Sequence, residues 1–258
     1  MAGCGAGSTS TSSPSPTPTS SYTVPPGGQR TGDVPTKPQS GQTFSLQAKS
    51  GSNNGIDMTA YDESMDFALG AINEYWIETM PKDFNQQWAE PSQFVAYYPP
   101  EDTGPTCQGQ AGVPENAVYC DQGNKDFIAW DEPGFMLPIY ASKGDMGAAV
   151  ILAHEFGHGA QAKLGTFNKF KHSIEAELQA DCFAGAWAAW ADQQQLLGED
   201  AAKQAADTVL SVGDAEGTAW NAPDAHGTGP QRLEAFTKGT ASGATGCATD
   251  YAPGFTER

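Results

Sequence analysis

Residues 144–165 read GDMGAAVILAHEFGHGAQAKLG and contain the string His154-Glu155-Phe156-Gly157-His158. Met146, Val150, Ala153, Gly157 and Ala160 recur at i, i+3, i+4 and i+7 spacing, which predicts a helix with an apolar stripe against a core. Gly165 stands where such a helix stops. Residues four apart on a helix lie one turn above each other, so the imidazoles of His154 and His158 converge on one point at a separation that suits zinc. Glu155, about 100° round the helix, reaches a water on such an ion. Gly157 and Gly159 cost the helix about 1 kcal/mol each relative to Ala, which predicts room made for a neighbour. The bland alternative is two buried histidines on an apolar helix.

A catalytic zinc takes three protein ligands and keeps a position for water. A third histidine six residues past His158 would fall at Leu164, which excludes the metzincin arrangement. The next helical pattern begins at Ser173 and runs to Leu197 and Gly198, with Leu178, Cys182, Phe183, Ala186, Trp187 and Trp190 on its buried side. Glu177 and Asp181 share one of its faces, whereas Glu175 points roughly opposite. Glu177 is therefore the candidate third ligand, and Asp181, one turn on, is suited to accept the free N–H of a zinc histidine. His172, in the preceding loop, is a rival ligand. A fourth helix opens at Thr228-Gly229-Pro230-Gln231 with capping-box spacing and an early proline. His226 precedes that cap on a Gly-rich loop and is a candidate second donor to a developing oxyanion. Arg232, in the first turn, either assists it or pairs with a carboxylate such as Asp181. A surface histidine and a structural arginine are the plain alternatives.

The other elements read as supports. Thr59 is expected to cap a helix whose Met65, Leu69, Ile72, Trp76 and Met80 share one face before Pro81 ends it. Phe94 to Tyr98, Ala117 to Tyr119 and Phe127 to Trp130 predict three short strands in a small sheet. Asp121 to Asp126 lacks the spacing of an EF-hand loop and reads as a turn, as does Asp131-Glu132-Pro133-Gly134. A third helix is expected from about Asp200 to Val212.

The chain has 258 residues and a formal net charge of -18, which disfavours nucleic acid and anionic lipid as partners. Residues 1–54 are Ser, Thr, Pro, Gly and Gln with few large apolar side chains, so they are expected to form a disordered, extended tether ahead of one domain at 55–258. Ala2-Gly3-Cys4 resembles the end of a bacterial lipobox, which makes Cys4 a lipidation candidate and a lipid anchor the one expected membrane link. Cys107, Cys120, Cys182 and Cys247 then form an even set that suits an oxidising compartment. Of the three possible pairings, position favours Cys107 with Cys120, across the loop between two strands, and Cys182 with Cys247, tying the C-terminal tail to the second ligand helix.

HEFGH, ELQADCFAG and HGTGPQR, in this order, resemble the bacterial predicted neutral zinc metallopeptidase family, a gluzincin-like group, over about Ile56 to the C-terminus. The resemblance implies an α+β, zincin-like fold, mainly helical, with the three-stranded sheet packed near the HExxH helix and its edge strand holding an extended peptide or protein substrate. It implies one zinc ion per chain on His154, His158 and Glu177, with Glu155 as general base for peptide-bond hydrolysis in the cell envelope or outside the cell. Two other functions compete with it: a zinc hydrolase of a non-protein amide, and a non-catalytic envelope binding module with a structural zinc. The latter would need a fourth protein ligand, and none is evident.

Overall fold

The computed structural model describes residues 56–257, so the tether expected at 1–54 and Cys4 lie outside the described residues. The first helix, α1 (Met58–Phe84), starts on Asp57, whose Oδ1 accepts the N–H groups of Thr59 and Ala60 at 3.0 and 3.2 Å. The cap therefore lies two residues ahead of Thr59. Nor does Pro81 end the helix, which runs on to Phe84. In the final turn a proline removes a single N–H, and the chain leaves through Asn85 in the left-handed region, φ 53°. Met65, Leu69, Ile72, Trp76 and Met80 are all buried.

Three strands follow: β1 (Gln93–Tyr97), β2 (Ala117–Cys120) and β3 (Phe127–Asp131). β3 is central, with β1 parallel on one side and β2 antiparallel on the other, Val118 opposite Ala129. The long connection between β1 and β2 is tied to the end of β2 by the Cys107–Cys120 disulfide. Gly134 N–H donates to Asp131 Oδ1 at 2.8 Å, giving the expected turn. Beyond it the chain coils through Glu132–Met136 into a short helix, α2 (Leu137–Lys143), that the turn reading missed. Pro138 is tolerated there because it sits in the first turn, where its missing N–H needs no partner.

The helix α3 (Asp145–Lys163) carries HEFGH, and every residue from 145 to 161 is buried. The one-sided stripe was too narrow a reading. Helices α1 and α2, the later helices α4 (Ser173–Gln193) and α5 (Ala201–Ser211), and strand β2 surround α3, so small residues such as Ala148, Ala149 and Gly159 are buried as fully as its apolar stripe. At Gly157 a Cβ would lie 3.0 Å from the Ala180 backbone, so this glycine allows α4 to approach. Gly159 has ordinary space around it, and the expected need for a glycine there does not hold.

Helix α4 begins after His172 rather than on a Ser173 cap, and it ends at Gln193, short of Leu197, because Gln195 turns left-handed with φ 59°. The last helix, α6 (Gly229–Asp250), opens with the expected capping box, Thr228 N–H donating to Gln231 Oε1 at 2.9 Å, and bends at Gly243. It lies directly along α4: a Cβ at Gly239 would fall 1.8 Å from the Cys182 carbonyl oxygen. The Cys182–Cys247 disulfide joins the same two helices. The result is a mainly helical molecule with a small mixed sheet against its central helix. Among the described residues no helix is long and apolar enough to cross a membrane.

Candidate metal centre

The four-residue spacing on α3 sets the rings of His154 and His158 4.7 Å apart and nearly perpendicular. From α4, Glu177 enters between them. Its Oε2 lies 3.1 Å from His154 Nε2, and its Oε1 lies 3.5 Å from His158 Nε2. All three side chains are buried, at 1% exposure or less. Their ligand atoms lie within 4.8 Å of one another, and among the described residues they form the group able to hold a metal ion.

The protons of the two rings decide what fits there. His154 Nδ1 is 2.7 Å from Asp181 Oδ1, and a carboxylate held by arginine can only accept, so the Nδ1 proton belongs to His154. Arg232 Nη2 also lies 3.2 Å from that nitrogen, but the shorter contact to Asp181 governs. Gln161 Oε1 accepts from His158 Nδ1 at 2.9 Å, while Gln161 Nε2 donates to the Ala176 carbonyl at 2.7 Å. In neutral rings both Nε2 atoms then present lone pairs to the oxygens of Glu177. His158 Nε2 and Glu177 Oε1 are buried with no hydrogen-bond partner among the described residues. Lone pairs facing one another in a dry site call for a cation, and two imidazole nitrogens with one carboxylate are a donor set zinc accepts. The residues fit that ion.

Burial opposes ionisation of Glu177, yet the neighbouring His158 and His154, and then His226, hold its carboxyl well below the usual range. Asp181 is likewise opposed by burial and held low, chiefly by Arg232 and then by His154. Arg232 Nε and Nη2 each donate to Asp181 at 2.8 Å, and Nη1 donates to the Val212 carbonyl at 3.0 Å. The structure thus joins Arg232 to Asp181 and not to His226.

Glu155, fully buried, turns toward the sheet, and its Oε2 accepts the N–H of Tyr119 on edge strand β2 at 2.7 Å. The Tyr119 hydroxyl donates to Asp126 at 2.9 Å, and Asp126 also takes Lys163 at 2.7 Å, so both ends of this tyrosine are held. His226 sits on the loop before α6, its Nδ1 3.5 Å from Asp214 Oδ1, while its own N–H and that of Gly227 donate to Asp214 Oδ2. His172 is not with the metal group; its ring stands edge-on to Trp220 at 4.7 Å. Glu175 points away from the centre and accepts from Lys171, Gly254 and Thr256, fastening the C-terminal segment.

Gln161, Asp214 and the Tyr119 N–H are the parts that the sequence reading missed. Gln161 had a signal, since it lies one turn beyond His158 on the same helix. The other two had none, because a loop carboxylate and a backbone amide carry no pattern.

Both disulfides, Cys107–Cys120 and Cys182–Cys247, fit an oxidising, extracytoplasmic compartment. Among curated proteins, the chain is similar to "Uncharacterized protein YpfJ" of Escherichia coli K12, with 33% identity over 144 residues, 48% of this chain and 50% of that protein. It is also similar to "Uncharacterized protein Rv2575" of Mycobacterium tuberculosis H37Rv, with 29% identity over 160 residues, 52% of this chain and 55% of that protein. The chain thus spans about half the length of the curated relatives it matches. No solved structure matches it significantly. The family model described as "Putative neutral zinc metallopeptidase" matches residues 28–250, a span that takes in α3, α4 and α6 with every side chain of the metal group, and the chain belongs to that family.

Proposed function

We propose that this protein is a zinc-dependent peptidase in a zincin-like arrangement, with His154, His158 and Glu177 holding one zinc ion and Glu155 acting as general base. The observation that carries the reading is the meeting of three buried lone-pair donors whose ring protons are already committed elsewhere, to Asp181 and to Gln161. When bound, zinc supplies Lewis acidity to a carbonyl oxygen and lowers the pKa of a water.

The side chains do the rest. Glu155 follows His154 on α3 and is oriented by the Tyr119 N–H, so its carboxylate stands between the ligand set and the edge strand. It takes a proton from the attacking water and delivers it to the leaving amine. β2 has β3 as its one partner strand, and we place an extended substrate along its other side, beside Glu155 and the metal group. His226 then supplies a second donor to the oxyanion, and Asp214 holds its loop in place. A peptide chain is favoured over a non-protein amide by the family match and by the edge strand that lies beside the metal group.

We place the activity outside the cytoplasm, with Cys4 as lipid site and residues 1–54 as tether; the disulfides and the composition of the N-terminal segment support this.

Metal analysis combined with a peptide-library cleavage assay tests the reading. The wild-type chain is expected to hold one zinc and to cleave peptides. Glu155→Gln keeps the metal and loses most hydrolysis, and Glu177→Ala loses the metal. Full activity in Glu155→Gln would overturn the mechanism, and unchanged zinc content in Glu177→Ala would overturn the third ligand.

A further inference from the structure

We propose that Gln161 is a positioning residue that commits His158 to bind metal through Nε2 and sets its spacing from Glu177, a role that rests on the metal reading above. Gln161 is fully buried in the last turns of α3. Its amide bridges two elements, with His158 Nδ1 at 2.9 Å on one end and the Ala176 carbonyl at 2.7 Å on the other. A carbonyl can only accept, so the amide nitrogen must face Ala176 and the amide oxygen must face His158. That oxygen in turn can only accept, so the ring proton sits on Nδ1 and the lone pair on Nε2, toward Glu177.

Ala176 immediately precedes Glu177. One side chain therefore holds the second histidine on α3 and the backbone of α4 at the third ligand, while Gly157 lets the two helices approach close by. The two histidines are backed differently. Behind His154 stands a carboxylate neutralised by Arg232, and behind His158 stands a neutral amide. An amide fixes the tautomer without adding another negative charge to a dry site that already holds Glu177 and Asp181.

The test compares Gln161→Leu and Gln161→Glu in the full chain. Leucine keeps an apolar side chain of similar size and loses both hydrogen bonds. Glutamic acid keeps an acceptor of the same reach for His158 and changes only the end that faces Ala176. Zinc affinity, measured by competition with a chelator, is expected to fall about 10- to 100-fold in Gln161→Leu and to stay within about fivefold of wild type in Gln161→Glu. A role in packing alone predicts the reverse order and would overturn the proposal.

The second readout needs no metal. In the zinc-free chain, ring nitrogen NMR is expected to show His158 protonated on Nδ1 in the wild type. In Gln161→Leu the proton is expected on Nε2, where Glu177 is the remaining acceptor. An unchanged tautomer in that variant would overturn the proposal. If the wild type binds zinc and cleaves no peptide, the peptidase reading fails, while both Gln161 readouts still decide this one.

Discussion

Arg232 on α6 and Asp181 on α4 form a two-bonded pair, Nε to Oδ2 and Nη2 to Oδ1, both at 2.8 Å, with each side chain at 2% exposure or less. The pair lies directly behind His154 Nδ1. Removing the arginine would leave a buried carboxylate without its counter-charge, which costs about 3 to 5 kcal/mol. Arg232→Ala is therefore expected to lower stability by that amount and zinc affinity by about 10- to 100-fold. Arg232→Lys should recover part of the stability, because one ammonium cannot reach both carboxylate oxygens and the Val212 carbonyl together. Urea unfolding in chelator and a zinc titration check the two halves. Unchanged values in the alanine variant would reduce the pair to ornament.

Asp145 offers a pH-dependent prediction away from the metal. It is buried at the start of α3, and one of its carboxylate oxygens has no hydrogen-bond partner among the described residues. Burial pushes its pKa up to about 6, only partly offset by a hydrogen bond from Tyr140. Between the ordinary carboxylate value and about 6 the folded chain keeps a proton that the unfolded chain has released. Stability attributable to this group thus falls as pH rises through that window and is level above it. Asp145→Asn should match wild type near pH 4 and be more stable near pH 8 by about 1 to 2 kcal/mol, with some solvent screening allowed for. Unfolding free energies measured at both pH values give the difference. A gain of equal size at the two would show that ionisation is not its cause.

His226 is held by Asp214 through its own N–H, and it is not one of the grouped metal ligands. His226→Ala is expected to lower kcat by about 10²-fold or more with zinc content and KM little changed, the pattern for an interaction made mainly in the transition state. Steady-state kinetics with zinc analysis on the same preparation checks this. An unchanged kcat would make it a plain loop residue, and lost zinc would make it a ligand.

What the sequence determined by itself is local. Histidines four apart on one helix must share a face, Glu155 must lie beside them, and Glu177 and Asp181 must share a face that Glu175 does not, because helix geometry alone sets those angles. The strand segments were legible for a similar reason, from short runs of aromatic and β-branched residues.

The same local rules misjudged α1 at both ends and α3 in its burial. A cap depends on which side chain reaches the free N–H groups, and Asp57 outcompetes Thr59. Burial depends on what packs from outside, and the surrounding helices and strand β2 enclose α3.

Only the tertiary structure decided the contacts that make the histidines a centre. Arg232 lies 51 residues from Asp181 and 78 from His154, and the Tyr119 amide lies 36 residues from Glu155. No periodicity links residues so far apart. They meet because glycines let α6 close on α4 and α4 on α3, and because β2 packs beside α3, where its Tyr119 amide meets Glu155. The residue types could be read from the chain, but the proton on each ring nitrogen is set by neighbours that folding alone brings within hydrogen-bond reach.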